Sequence, residues 1–356
     1  MSRVFIIAEA GVNHDGSIDD ARRMVDVAAD AGADAVKFQT FRADQLVTKR
    51  AAKAAYQVAN TGEDGGQMEM LRRLELSHGD HAMLADHCRA RGVRFMSTAF
   101  DMESLTLLAG MDMPALKIPS GDITWGPMLL AAARLGMPML VSTGMSTLED
   151  IRQALSVIAF GSTREGEPLG RYDLGLALKS KAGRAALKEK VTLLHCTTQY
   201  PAPLTAVNLK AMDLIASTFG LPVGYSDHTL GITVPIAAVA RGATVIEKHF
   251  TLDRSRHGPD HAASLEPSEL AEMVKAIRDV EIALGRPEKK PTVAERANLR
   301  VARRCVVAAR RISFDETLTL EMLTAKRPSD GRSPMAIWSM LGRPAYRDYE
   351  PDDIIE

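Results

Sequence analysis

His228 and His249 each stand just past a short apolar run, and the two runs are neighbours in the sequence. If these runs are adjacent parallel strands, their carboxyl ends bring the two imidazoles together, where they could bind one divalent ion. Glu9 or Asp260 could add oxygen ligands, directly or through water, and this mixed set suits manganese, iron, cobalt or zinc. The competing interpretation is that ordinary hydrogen bonds satisfy both histidines.

Two lysines, Lys37 and Lys117, lie within or at the ends of otherwise apolar runs. A lysine buried there needs an anionic partner, because burying an unpaired charge is costly. Hydroxyl side chains follow the same or nearby runs: Ser97, Thr98, Ser120, Ser142 and Ser226. Two ammonium groups with a ring of hydroxyls would suit a small phosphorylated acid. Alternatively, each lysine pairs with Glu9 or Glu247, or one lysine forms a Schiff base as in aldolases.

Four short loops are also candidate binding segments, and their signals are weaker. Pro119–Asp122 and Ser142–Met145 each place a hydroxyl and a glycine after an apolar run, where backbone N–H groups could bind an anion. Thr197–Pro201 adds the phenol of Tyr200, and simple loop packing explains it equally well. The basic loop Lys326–Gly331 is a solvated turn if spacing alone is considered.

These candidate residues follow a recurring element. Eight times before residue 250 a short apolar run ends at or just before a polar residue, with helical stretches between the runs. The runs are 4–8, 35–38, 93–96, 115–118, 138–141, 191–194, 221–225 and 243–246. Strands and helices in alternation predict parallel strands joined by crossover helices, and eight repeats predict a (β/α)8 TIM barrel. Chemistry in such barrels lies at the carboxyl ends of the strands, where the candidates occur.

The first repeat shows how local sequence supports this interpretation. Ser17 is suited to cap a helix whose apolar face is Ile18, Ala21, Met24, Val25 and Ala28, and Gly32 ends that helix. Two spacings depart from the pattern. Residues 40–65 form a polar excursion, predicted to be an enlarged loop on the catalytic face. Residues 160–190 are either a surface insertion or an extended helix.

The chain is too long for the barrel alone. We predict a TIM-barrel catalytic domain over residues 1–284, a charged, proline-bearing linker over 285–298, and a small domain over 299–356. Within the small domain, residues 305–309 are predicted to form a short strand, and residues 335–341 a short helix.

Composition narrows the class of protein. The 356 residues carry a net charge of −1 and no basic block, so nothing indicates a nucleic-acid partner. Three widely spaced cysteines argue against a disulfide framework or a cysteine zinc site. No apolar stretch approaches the length of a membrane span, and the apolar stretch at the amino terminus, residues 4–8, is too short for the core of a signal peptide. A soluble cytoplasmic protein is expected.

Together the motifs resemble those of the sialic acid synthase family across nearly the whole chain. The matching segments are residues 8–14 (AEAGVNH), 36–40 (VKFQT), 97–100 (STAF), 117–121 (KIPSG), 142–145 (STGM), 224–229 (GYSDHT), 247–251 (EKHFT) and 258–261 (GPDH). The tail, with Lys326–Pro328 and Ser333–Met335, is similar to that family's C-terminal antifreeze-like (SAF) domain.

The resemblance implies condensation of phosphoenolpyruvate with N-acetylmannosamine or a close analogue, giving N-acetylneuraminate and phosphate by C–O cleavage. The alternative within the family is an N,N'-diacetyllegionaminate synthase using 2,4-diacetamido-2,4,6-trideoxymannose. The resemblance also implies a divalent ion, usually Mn²⁺, on His228 and His249. It further implies a domain-swapped homodimer, in which Arg327 reaches the active site of the neighbouring subunit.

Residue roles follow from the same resemblance. Glu9 is expected to stabilise the cation formed at the reacting carbon or to handle water's proton, and Asp260 to bind sugar hydroxyls or assist the aldehyde. The residues expected to bind the two substrates are Lys37, Gln39, Asn60, Thr98, Lys117, Ser120, Ser142, Tyr200, Ser226 and Arg327.

Three positions depart from the family pattern. Asp122 stands where glutamate is common, Thr198 where asparagine is common, and Ser329-Asp330 where glycine-asparagine is common. Sugar choice is therefore the least determined property. Two other function classes remain: a Schiff-base aldolase, and a non-catalytic barrel that acts as a scaffold.

Overall fold

The structure, a computed structural model, describes residues 3–61 and 66–356. The chain divides at Gly285 into two compact units, each with its own apolar core. The first unit contains every candidate residue of the sequence analysis except Arg327.

Eight parallel strands close a barrel in chain order, and β1 pairs with β8 to complete it. The strands are β1 Phe5–Gly11, β2 Ala35–Thr40, β3 Arg94–Ala99, β4 Leu116–Ile118, β5 Met139–Ser142, β6 Val191–Cys196, β7 Val223–Asp227 and β8 Val245–His249. The predicted (β/α)8 barrel is thereby confirmed. No strand begins more than two residues from its predicted start.

Helices surround the strands. The helices of the first unit are α1 Ile18–Asp30, α2 Ala43–Leu46, α3 Ala55–Thr61, α4 Gln67–Leu74, α5 His78–Arg91, α6 Met102–Ala109, α7 Gly126–Arg134, α8 Leu148–Thr163, α9 Arg171–Lys179, α10 Lys181–Lys190, α11 Lys210–Phe219, α12 Thr233–Ala240 and α13 Pro267–Leu284. Ser17 caps α1 as predicted, because its hydroxyl accepts a hydrogen bond from the Asp20 amide at 3.2 Å. Among the residues described, no helix has the length and apolarity of a bilayer-spanning segment.

The two irregular spacings contain more helix than the sequence indicates. Residues 40–65, predicted to be an enlarged loop, hold α2 and α3 in their described part, residues 62–65 lie outside the described residues, and α4 follows. Residues 160–190 hold the end of α8 followed by α9 and α10, so the segment is not one extended helix.

An apolar plug fills the interior of the barrel. It consists of Ile7, Ala35, Met96, Ala115, Leu140, Leu194 and Val245, with Phe5 packed against it. Ala115 directly precedes β4 and the other plug residues lie within strands, whereas β7 contributes none because Gly224 lies at the corresponding level beside Leu194 and Val245. The plug fills the amino-terminal part of the barrel interior, so a cavity inside the barrel can form only beyond it, toward the carboxyl ends of the strands.

The second unit consists of short elements. Helix α14 (Val293–Ala302) precedes the antiparallel pair β9 (Cys305–Ala308) and β10 (Leu323–Lys326), and 3₁₀ turns cover Leu320–Met322 and Pro334–Ser339. The predicted strand at Cys305 is present, and α14 begins inside the segment assigned to the linker. The antifreeze-like assignment of this unit stays a prediction.

Candidate active site

A polar layer lies directly beyond the apolar plug. Side chains alternate along a strand, so the residue two positions after each plug residue faces the barrel axis again. The layer comprises Glu9, Lys37, Thr98, Lys117, Ser142, Cys196, Ser226 and Glu247, all of them buried. Alternation in eight strands therefore brings six of the predicted site residues together.

Two lysines and two glutamates form a continuous charge network in this layer. The Lys37 ammonium lies 2.8 Å from the Glu9 carboxylate and 3.6 Å from the Glu247 carboxylate. Lys117 lies 2.8 Å from the other oxygen of Glu247. Lys37 also donates to the Thr98 hydroxyl at 2.9 Å, and the Ser226 hydroxyl donates to Glu247 at 2.9 Å. Glu247 is thus the carboxylate that both lysines share.

The two glutamates of this network respond differently to burial. Burial alone would raise the pKa of Glu247, but Lys117 and Lys37 outweigh it and hold that pKa below its usual range. For Glu9, burial outweighs the attraction of Lys37, and repulsion by Glu247 adds to it, so its pKa rises to about 7. One carboxylate therefore stays ionised while the other exchanges a proton near neutral pH.

The hydroxyls after β4 and β5 are held close together. Ser120 accepts a hydrogen bond from the Gly144 amide at 3.0 Å and lies 3.1 Å from the Cys196 sulfur. A Cβ atom at Gly144 would stand 2.3 Å from the Thr198 hydroxyl, so this approach of loops requires glycine. The Ser142 hydroxyl is buried and has no hydrogen-bond partner among the described residues. An unused donor in a layer that contains two lysines fits an anionic ligand.

The predicted histidine pair is present beside the charge network. The ring centroids of His228 and His249 lie 5.6 Å apart. Nδ1 of His228 lies 2.6 Å from the Thr197 carbonyl, which assigns the proton to Nδ1 and leaves a lone pair on Nε2. Nδ1 of His249 is buried without a hydrogen-bond partner, 3.9 Å from Oδ2 of Asp260. Burial lowers the pKa of His228 to about 4 and the pKa of His249 well below its usual value, so both rings are neutral at neutral pH.

Two neutral imidazoles with free ring nitrogens fit a divalent ion. Within residues 3–61 and 66–356, no group of three or more His, Cys, Asp or Glu side chains is arranged to hold a metal by itself. The pair therefore fits an ion whose remaining ligands are water or substrate oxygens. The bound metal stays a prediction.

Aromatic and acidic side chains form one wall beside the histidines. The Tyr200 ring centroid lies 4.1 Å from that of His228 and 5.2 Å from that of Tyr56, which α3 carries. Asn60, also on α3, donates to the Pro259 carbonyl at 2.7 Å. Burial raises the pKa of the adjacent Asp260 to about 6, against the opposing influence of His261 and Lys37.

A cavity of about 370 Å³ joins these parts. Its polar lining includes Glu9, Lys37, Gln39, Thr98, Lys117, Ser120, Ser142, Tyr200, Ser226, His228, Glu247, His249 and Asp260. An apolar arm of the same cavity is lined by Val12, Leu46, Val47, Met70, Leu71, Leu74 and Phe100. A larger hollow of about 790 Å³ lies at the amino end of β3, but its lining includes none of the charge network and neither histidine of the pair.

One predicted residue of the first unit, Asn60, is not among the residues that line this cavity. The Asn60 amide is engaged with the Pro259 carbonyl, so Asn60 supports the segment that carries Asp260. Arg327 is exposed in the second unit, at the end of β10. Its action in a neighbouring subunit stays a prediction.

Two residues of the site, Glu247 and Tyr56, are absent from the predicted set of catalytic, substrate-binding and metal-binding residues. The sequence indicates Glu247 as a possible partner for a lysine, and its position two residues before His249 predicts that both side chains face the barrel interior. Tyr56 carried no such signal, because α3 lies in a segment predicted to be a loop.

Comparison with known proteins agrees with this geometry. The NeuB family matches residues 24–289. The chain is 43% identical over 355 residues to the N,N'-diacetyllegionaminic acid synthase of Campylobacter jejuni, covering 100% of this chain and 99% of that protein. It is 45% identical over 338 residues to the synthase of the same name from Legionella pneumophila, covering 95% and 89%.

Among solved structures, the N-acetylneuraminic acid synthetase of Leptospira borgpetersenii, in complex with citrate, matches with a TM-score of 0.67 and 32% identity. The match covers 84% of this chain and 90% of that one. Sequence, fold and near full-length relatives thus agree, and the chain belongs to the NeuB family, the sialic acid synthases that its motifs resemble.

Proposed function

We propose that this protein is a nonulosonate synthase that condenses phosphoenolpyruvate with an open-chain, N-acetylated mannosamine-type sugar. The observation that carries the proposal is the joining, in one cavity, of an anion-binding floor, a neutral histidine pair and a tyrosine–aspartate wall. These three parts correspond to the phosphorylated acid, the aldehyde and the hydroxyl-rich chain of the sugar.

The floor binds phosphoenolpyruvate. Its carboxylate and phosphate need cations and donors, and the residues that supply them are Lys37, Lys117, Ser120, Ser142 and Ser226. The Ser142 hydroxyl has no partner among the described residues, so it can donate to the ligand without breaking a bond. Because Glu247 already orients both ammonium groups, the floor is organised before the substrate arrives.

The reaction forms one carbon–carbon bond, and at the carbon that bears the phosphate it replaces the bond to the phosphate oxygen with a bond to the oxygen of water. The enol carbon attacks the aldehyde carbon, which leaves a positive charge on the carbon that bears the phosphate. Water adds to that carbon, and loss of inorganic phosphate then gives the 2-keto acid. As a carboxylate, Glu9 stabilises the positive charge and accepts the proton of the attacking water, and its pKa of about 7 suits that exchange.

The wall and the histidines bind the sugar. Asp260, buried with a pKa of about 6, binds hydroxyls or donates a proton toward the aldehyde oxygen, while Gln39 and Tyr200 orient the chain. A divalent ion, which we propose is Mn²⁺, would be held by His228 and His249 and would supply Lewis-acid polarisation of that oxygen when bound.

Two acceptor sugars fit this scheme, and two observations favour 2,4-diacetamido-2,4,6-trideoxymannose over N-acetylmannosamine. The relatives that are 43% and 45% identical are both named as diacetyllegionaminic acid synthases. The apolar arm of the cavity, which includes Leu46, Met70 and Leu71, suits a second acetyl group and a terminal methyl group better than free hydroxyls.

Exposed apolar side chains support a homodimer. Met145, Leu204 and Leu230 follow three barrel strands with 73%, 70% and 59% of their surface exposed, and the second unit exposes Met335 and Trp338. We propose that a second copy covers these surfaces and that Arg327 serves the partner's site. Mixing Arg327→Ala chains with Lys117→Met chains should then restore activity, and no recovery after confirmed chain exchange would contradict shared sites.

The ion pairs weigh against a Schiff-base aldolase. A Schiff base requires a neutral amine, but both lysines are paired with carboxylates. Burial alone would lower the pKa of Lys37, yet Glu247 and Glu9 raise it above its usual value. Borohydride with substrate should therefore trap no covalent adduct.

The decisive experiment measures phosphate release from phosphoenolpyruvate with each acceptor sugar, with Mn²⁺ and with a chelator. We expect sugar-dependent release that requires the ion, with the trideoxy sugar giving the higher kcat/KM. His228→Ala should lower metal affinity and activity together. The absence of sugar-dependent release under every condition would contradict the synthase assignment.

A further inference from the structure

The segment between β8 and α13 carries Asp260 and is held from outside by Asn13. The Asn13 amide donates to the Phe250 carbonyl at 2.9 Å and to the Ser264 hydroxyl at 2.9 Å. Ser264 in turn donates to the Asp260 carbonyl at 2.7 Å. Asn13 therefore ties the start of the segment to its end.

A second set of contacts holds His261, the residue after Asp260. His261 is fully buried, with Nδ1 2.7 Å from the Thr251 hydroxyl and Nε2 3.1 Å from the Asp15 carboxylate. A Cβ atom at Gly258 would stand 2.6 Å from the His261 ring, so the segment packs closely on it. Both ring nitrogens are engaged, which leaves His261 no freedom to turn.

The Asp260 carboxylate lacks a comparable restraint of its own. No described residue donates a hydrogen bond to it, and Nδ1 of the neutral His249 ring lies 3.9 Å from its Oδ2. The backbone around residue 260 must therefore set the position of this carboxylate. Neither Asp15 nor His261 is among the described residues that line the cavity, so they act on the reaction only indirectly, through the segment that carries Pro259 and Asp260.

We propose that Asp15 and His261 are positioning residues that hold Asp260 in place to bind the acceptor sugar. The proposal rests on the function proposed above, because it needs Asp260 to act on the sugar. It gives a reason for two motifs of the sequence: Asp15 continues the NHD turn after β1, and His261 ends the GPDH segment after β8.

Asp15→Gly tests the proposal with little risk to the fold. Asp15 has a left-handed backbone (φ 54°), which glycine adopts without strain, and its side chain is 34% exposed. Asp15→Asn is the rescue variant, since its amide oxygen can still accept from Nε2 of His261. The matched control is Asp26→Ala, which removes a carboxylate 3.0 Å from His87 on the outer helices.

We expect Asp15→Gly to lower kcat/KM for the sugar by roughly 10- to 100-fold, while KM for phosphoenolpyruvate changes by less than about threefold. Asp15→Asn should recover most of the loss, and Asp26→Ala should show none. In an Asp260→Asn background, Asp15→Gly should cost less than about threefold, because the two residues act through one contact.

Losses that multiply in the double variant would overturn the proposal, as would equal rises in KM for both substrates. An inactive wild-type enzyme would instead overturn the proposed function, and this proposal with it.

Discussion

Strand β8 carries two adjacent charged residues that face opposite sides of the barrel wall. Glu247 faces the interior and pairs with Lys117 and Lys37, whereas Lys248 faces the surrounding helices and pairs with Asp227 at 2.6 Å. Both are buried ion pairs between strands. The comparison shows that a buried ion pair does not by itself mark a reactive site.

The difference lies in whether hydrogen bonding is complete. The Asp227 carboxylate accepts from the amide and hydroxyl of Thr229 at 3.1 Å and 3.0 Å, and Lys248 also donates to the Thr229 carbonyl. That cluster is closed and fully buried. The inner network opens onto a cavity whose lining includes the unpartnered hydroxyl of Ser142. A closed cluster stabilises the barrel, whereas an open one can accept a ligand.

Breaking the outer ion pair, Lys248 with Asp227, should give the largest effect of all, and the effect should be on stability. Lys248→Met leaves the Asp227 carboxylate buried without its cation, so we expect the free energy of unfolding to fall by about 3–5 kcal/mol. Chemical denaturation of wild type and variant measures the difference. Adding Asp227→Asn removes the uncompensated charge and should recover much of the loss. A single variant as stable as wild type would contradict the closed-cluster interpretation.

Breaking the inner ion pair, Lys117 with Glu247, should give the next largest effect, and the effect should be on catalysis. Lys117→Met removes a cation from the floor, but Glu247 keeps Lys37 and Ser226 as partners, so the fold should persist. We expect kcat/KM for phosphoenolpyruvate to fall by roughly 10²- to 10³-fold. Steady-state phosphate release measures this, and thermal unfolding provides the control. If Lys117→Met lowered stability as much as Lys248→Met does, the two ion pairs would not differ in function, which would contradict this interpretation.

Strand β8 also illustrates which features of the fold and of the site can be predicted from the sequence. Each barrel strand forms its own apolar run, so the eight strands and the polar residues at their ends follow from local pattern. Period-two alternation also distinguishes Glu247 from Lys248 once the strand is known. Whether Lys37 binds a substrate anion or pairs with a carboxylate stayed open, because that choice depends on contacts between strands that are distant in sequence.

The structure of the segment after β2 was harder to predict from the sequence than the strands were, for a physical reason. Helices α2, α3 and α4 span 4, 7 and 8 residues, too short for a periodic apolar face to be evident, and short isolated helices are unstable. Helix α4 packs Met70 and Leu74 against Val12 and Phe41, and Leu46 of α2 packs against the same cluster, contacts that are made only in the folded barrel. Tyr56 and the apolar arm of the cavity could not be predicted for this reason.

Glu9 should make the rate depend on pH, whereas Glu247 stays ionised and should not. Glu9, with a pKa of about 7, is protonated below that pH and ionised above it, and the ionised form accepts water's proton. We therefore expect kcat/KM to rise with pH and to level off above about pH 7. Glu9→Gln should lower the rate by roughly 100-fold and abolish this rise. Asp260→Asn should keep it, and a rise that survives Glu9→Gln would assign the titration to another group.

The smallest effect should come from removing the Ser142 hydroxyl. The closed cluster around Asp227 has no unpartnered hydroxyl of this kind. Ser142→Ala removes a buried donor without a partner among the described residues, so stability should stay the same or rise slightly. Loss of one hydrogen bond to the anion should raise KM for phosphoenolpyruvate by roughly tenfold. Ser226→Ala is the matched comparison: its hydroxyl already donates to Glu247, so the same truncation should lower stability as well. If both variants change KM and stability by the same amounts, the Ser142 hydroxyl is not free to bind a ligand. The network around Glu247 would then be as closed as the cluster of Lys248 and Asp227.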